Sequence, residues 1–150
     1  MRRTFAQILL AAVALLAVAA AGTPSNSKYA YGIIKHSCAP WDGAALALTI
    51  TPKPATCETG VPYLVINLYD LPITPKKSYK IGIQGETTIG QASRCPTSNA
   101  CESADSGEVT FDSFEQDKTA SGHYKLHFQD GSTLDGEFKL KWCSNHELCG

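Results

Sequence analysis

Outside its first 21 residues, no window of this 150-residue chain shows an apolar period of 3.6 residues. That absence removes helical folds, and with them phosphate sites built on a helix N-terminus. There is no G-x-S-x-G, so no nucleophile elbow of the hydrolase kind. There is no C-x-x-C, and the one histidine near a cysteine pair is His146, inside Cys143-SNHEL-Cys149. No metal and no cofactor are therefore expected. "DGAA", "DSFEQD" and "QDGSTLD" are rich in oxygen ligands, but none has the D-x-[DN]-x-[DN]-G spacing of a calcium loop. Basic charge is also scarce. Of the 13 basic residues, Arg2 and Arg3 lie in the leader, which leaves 11 against 14 acidic ones. A net charge of −3, with only the pairs Lys76-Lys77 and Lys139/Lys141, argues against nucleic acid as a partner.

What is present begins with the leader. Met1-Arg2-Arg3 precedes the apolar run "ILLAAVALLAVAAA", residues 8–21, and Ala19-Ala20-Ala21 offers a small-residue cleavage site. Residues 1–21 read as a secretory signal peptide, too short in its apolar part for a membrane span. "RRTF" matches a twin-arginine signal only in part, and the general export route is favoured. Residues 22–27, "GTPSNS", read as a flexible polar tether, and 28–150 as a single domain.

Six cysteines follow: Cys38, Cys57, Cys95, Cys101, Cys143 and Cys149. An even count behind an export signal points to disulfides and to a secreted or periplasmic location. Fifteen pairings are open, and the loops Cys95-PTSNA-Cys101 and Cys143-SNHEL-Cys149 are the plausible local staples, the first favoured.

Runs rich in β-branched and aromatic residues alternate with Gly, Pro, Asp and Ser, which predicts an all-β domain of about eight strands. These are 28–36, 44–51, 61–69, 78–84, 87–93, 107–114, 121–129 and 133–142. Nearly continuous apolarity at 61–69 suggests a strand buried on both faces or central in its sheet. The fourth and the last two strands alternate, with one face for a core and one for water. Two antiparallel sheets packed as a sandwich would satisfy this pattern.

The stretch "GHYKLHFQDGSTLDGEFKLKWC", residues 122–143, gathers histidines and acids. Tyr124, Leu126 and Phe128 share one face, as do Leu134, Phe138, Leu140 and Trp142. Bringing both sets to one side requires an odd-length connection or a bulge. Leu126 would then oppose Gly136, and Tyr124 would oppose Phe138. His127 would oppose Asp135, Lys125 would oppose Glu137, and His123 would oppose Lys139. That makes the polar residues a solvated face, with cross-strand pairs worth about 0.2–1 kcal/mol each.

Three functional readings follow. The first is a non-enzymatic binding or structural module of the periplasm or extracellular space, meeting a protein or cell-envelope component by strand addition or by its loops. The second is a carbohydrate-binding module with Trp41 and a neighbouring tyrosine as platforms and Asp42 beside them, which requires coplanar exposed rings. The third is a small hydrolase using His127 or His36 with a nearby acid. The clusters Asp105/Glu108 and Asp112/Glu115/Asp117 would have to face another carboxyl across a cleft to serve a glycosidase.

The pattern sGxVtF…aSGhYkLhFqDGstldGeFkLkWC over 107–143, with "CAPWDGAALALTI" at 38–50, resembles a recurrent element of small exported bacterial β-proteins of unassigned activity. The likeness covers about half of the chain after the leader. It implies fold and compartment, with Gly122, Tyr124, Phe128, Asp130, Gly131, Gly136, Phe138, Trp142 and Cys143 as turn, core and bridge positions, and transfers no catalytic residue.

Overall fold

A computed structural model describes residues 28–58, 60–84, 87–144 and 149. The expected signal peptide and tether lie outside the described residues, as does His146. The eight strands are β1 (Tyr31–Cys38), β2 (Ala44–Thr51), β3 (Tyr63–Leu68), β4 (Ser78–Gln84), β5 (Thr87–Thr97), β6 (Ala100–Glu115), β7 (Thr119–Phe128) and β8 (Thr133–Trp142). Every expected strand is present.

The strands do not divide into the two sheets of a sandwich. They form one closed ring in the order β1-β2-β3-β5-β4-β6-β7-β8. Two features close it. β1 pairs in parallel with β8 over Tyr31–Ile34 against Lys139–Trp142. β5 pairs with β3 on one side and on the other with β4 and then β6. Local alternation is the same in a sandwich strand and in a barrel strand, so the pattern could not separate them.

The alternation sets the interior. β7 and β8 bury every second residue, and Tyr124, Leu126, Phe138 and Leu140 all point inward. They meet Ile34, Leu48, Ile50, Leu64, Ile66, Leu68, Val109 and Phe111, all fully buried. Each large side chain so removed from water contributes about 1.5–3 kcal/mol. Phe111 sits edge-on to Tyr79, Phe114 and Phe138, with ring centroids 5.6–5.9 Å apart. Tyr124 Oη donates to the Tyr29 carbonyl at 3.0 Å, satisfying the one polar end of that ring. β3 alternates like its neighbours: Leu64, Ile66 and Leu68 are buried, while Val65 and Asn67 are half-exposed. Its apolar outer residue Val65 had suggested burial on both faces. In a closed ring only the inner face is covered.

The β7–β8 hairpin keeps the expected parity but sits two residues tighter. Tyr124 opposes Gly136, Lys125 opposes Asp135, His123 opposes Glu137, and His127 opposes Thr133. The turn is a three-residue loop, Gln129-Asp130-Gly131. Phe128 N donates to Ser132 O, Gly131 N donates to Phe128 O, and Gly131 takes φ 78°. That left-handed position is what glycine supplies at low cost. A longer loop had been expected because the turn was centred one residue too late.

The disulfides are Cys95–Cys101, as favoured, and Cys38–Cys149 and Cys57–Cys143. The last two replace the local Cys143–Cys149 staple. Closing the ring brings β1 beside β8, so cysteines 111 and 86 residues apart become neighbours. Three bridges fit an oxidising compartment.

Candidate functional site

With its interior filled by large apolar side chains, the barrel holds no internal ligand chamber among the described residues. Any recognition therefore falls on the outer wall and the strand ends. No described helix is long and apolar enough to cross a membrane. The outer positions of β7 and β8 are His123, Lys125, His127, Asp135, Glu137, Lys139 and Lys141, all exposed. A lipid-facing barrel surface is apolar at these positions.

Trp41 and Asp42 lie on the β1–β2 turn. Ala39 N donates to Gly43 O at 2.7 Å, and Asp42 N donates to Ala39 O at 3.0 Å. Pro40-Trp41-Asp42 is thus a three-residue loop with Asp42 in the left-handed region, at φ 61°. The loop begins two residues beyond the bridged Cys38, so its base is covalently fixed. Trp41 is the most exposed large apolar residue described, at 54%. Gly43 leaves room for it: a Cβ there would come 2.8 Å from the indole Nε1.

The Trp41 indole meets Tyr69, just beyond β3, with centroids 5.1 Å apart and planes at 70°. The coplanar strip required by the carbohydrate reading is absent at this pair, and a corner stands in its place. Tyr69 Oη donates to Gln91 Oε1 at 2.9 Å. Burial pushes the Tyr69 phenol up, so it remains a donor at neutral pH.

Gln91 leads into a groove of about 400 Å³ where β5 leaves β4 and joins β6. Its polar lining includes Gln91, Ser93, Ser103, Asp105 and Gln129. Ser93 Oγ and Ser103 Oγ lie 3.2 Å apart. The floor is small-sided because Gly82, with φ 114°, approaches the chain closely; a Cβ there would be 2.7 Å from the Asp105 carbonyl. Sequence reasoning asked for a tyrosine near Trp41 without identifying Tyr69, and it missed Gln91 and the groove. No motif marks them, because the fifth strand was read as ending before, and the sixth as beginning after, the polar run 94–106 that forms their paired extension.

The histidines sit elsewhere. His127 lies across from Ser106 on the wall of a shallow hollow of about 530 Å³ that also holds Lys80, Glu108 and Lys125. That is a concavity with a histidine and a carboxylate, as a hydrolase requires. Its wiring is different. Glu108 accepts from Lys80 Nζ at 2.7 Å and from Ser78 Oγ at 3.0 Å, and these bonds hold its carboxyl below the usual range. A general acid needs the opposite shift. The His127 Nδ1 contact is Thr133 Oγ1, at 3.2 Å. His36 Nε2 lies 3.8 Å from Asp117 and edge-on to the half-buried Trp142 at 5.0 Å. His123 lies 3.6 Å from Asp112. Glu115 pairs with Lys118. The acids clustered on β6 thus meet basic partners where two-carboxylate chemistry needs a second acid, except Asp105, which lines the groove.

Among the described residues no three His, Cys, Asp or Glu side chains gather as a metal site. No protein-family model, no curated protein and no solved structure matches the chain.

Proposed function

We propose that the chain is an exported, non-enzymatic binding module whose outer wall meets a protein or cell-envelope component. The observation that carries this reading is the filled, closed barrel, which leaves only surface for recognition. The signal-like leader, the resemblance to small exported bacterial β-proteins and the three disulfides support a location outside the cytoplasm. Three disulfides, two of them tying segments far apart in sequence, support a wall rigid enough to bind with little ordering cost. The hydrolase reading ranks below it, because Glu108 is engaged by Lys80 and His127 by Thr133.

The test is saturable binding of the fluorescently labelled exported protein to isolated bacterial cell-envelope sheets. A reduced and alkylated sample serves as control. Saturable binding that the control loses is expected. Linear, unsaturable uptake equal in both samples would remove the reading.

A further inference from the structure

We infer that the Trp41 corner and the adjoining groove form a binding site for a soluble, neutral oligosaccharide chain. This inference rests on the binding-module reading and names its ligand class. Four observations lead to it.

The first is presentation. An exposed indole is held on a three-residue loop whose base is a disulfide, buttressed by Tyr69 and seated over Gly43. A ring so fixed stacks on a C–H face of a sugar without first losing rotamer freedom. The second is continuity. Tyr69 binds Gln91, and Gln91 lines the groove, so aromatic and hydrogen-bonding surfaces join directly. From β3 across β5 to β6 the wall spans two strand spacings, about 10 Å. That is room for more than one ring. The third is chemistry. Amides, hydroxyls and one carboxylate provide both donors and acceptors for vicinal hydroxyls. Among the described residues the groove has no Lys or Arg in its lining, which disfavours phosphate and sulfate esters. The fourth is shape. The Trp41 and Tyr69 planes stand at 70°, so they cannot lie together on a flat polysaccharide surface. They can hold one ring of a chain whose neighbours descend into the groove.

The site therefore distinguishes soluble chains from crystalline ones. Asp42 and Asp105, both exposed, one on the Trp41 loop and one lining the groove, are the carboxylate acceptors for terminal hydroxyls.

The experiment is isothermal titration of the exported protein with soluble cello-, malto- and chito-oligosaccharides of six units, with sedimentation on microcrystalline cellulose alongside. Tryptophan emission is followed in the same samples. Binding of at least one soluble series is expected, with a shift in emission and no retention on the crystalline polymer. Trp41→Ala and Gln91→Ala each lower the affinity by about tenfold or more, or about 1.4 kcal/mol. Trp41→Phe keeps most of it. Both positions are exposed, so unchanged urea midpoints establish that the variants fold.

If no oligosaccharide binds while the envelope sheets still do, the glycan inference falls and the module reading stands. If neither binds, both fall. Oligosaccharide binding that is indifferent to Trp41→Ala and Gln91→Ala overturns this site. Retention on the crystalline polymer overturns the soluble-chain assignment.

Discussion

At the residue scale, Arg94 shows how one side chain ties separate elements together. Its guanidinium lies 4.1 Å over the Phe128 ring. It donates to Glu102 Oε2, to Asp130 Oδ2 at 2.7 Å, and to Ser132 Oγ at 2.8 Å. One planar fork thus joins β5 to β6 and to the β7–β8 turn. Asp130 is the acid-sensitive member. Hydrogen bonds from the Ser132 hydroxyl and backbone N–H, and then from Arg94, hold its carboxyl down at about 2, from an ordinary 3.8. A depressed folded pKa means that the stabilisation is complete above the ordinary value and is lost as pH falls through about 2. Asp130→Asn should therefore lower the urea midpoint slightly at pH 6. The gap from the parent should close as pH is taken from about 4 to 2. A gap that is constant across that range would show that the Asp130 charge plays no part.

At the scale of elements, all eight strands were legible because β-branched runs and Gly/Pro breaks act locally. Register was half legible. Parity followed from matching Leu126 and Phe138 to one face, but the offset depended on which residue centres the turn, and Asp130-Gly131 fits two centrings. The extension of β5 and β6 was not legible. "RCPTSNACESADS" has almost no apolar alternation, and it pairs because Cys95–Cys101 and the Arg94 fork hold its sides together. The candidate site suffered for the same reason. Trp41 and Asp42 were visible as a loop aromatic and its neighbour, whereas the groove exists only once β5 changes partner from β4 to β6. This hairpin extension gives a stability prediction. Its bridge closes a loop with a sequence separation of 6, and Cys38–Cys149 closes one of 111. Loop-closure entropy assigns about 2 kcal/mol to the short loop and nearly 5 kcal/mol to the long one. Cys57–Cys143 already shortens the loop that Cys38–Cys149 closes, so replacing Cys38 and Cys149 by serine should cost more than replacing Cys95 and Cys101, but by less than the full separations imply, measured by urea unfolding without reductant. Equal losses would mean that the hairpin extension carries more of the fold than its position suggests.

At the scale of the whole molecule, the parallel β1–β8 seam is a short closure of the ring. β6 and β7 are paired from Ala104 to Glu115, whereas β1 and β8 share only four residue pairs. Both long-range bridges lie beside that seam: Cys38 ends β1, and Cys143 directly follows β8. Cys143 N also donates to the Ile34 carbonyl at 2.8 Å, extending the seam by one bond. The cross-links are thus placed beside a short pairing, the parallel one that closes the ring, and that arrangement could not be read from cysteine spacing, since it follows from ring closure. Reduction should act there first. By hydrogen exchange and mass spectrometry, the reduced protein at neutral pH should lose protection at 31–34 and 139–142 well before 107–111 and 122–126. Peptides of β6 and β7 should stay within about tenfold of their oxidised rates while the seam opens. Trp41 belongs to the same experiment, because its loop hangs from Cys38 and should loosen with the seam. Uniform loss of protection in all strands on reduction would mean that the barrel opens as one cooperative unit, with the disulfides stabilising the whole ring and not its closure.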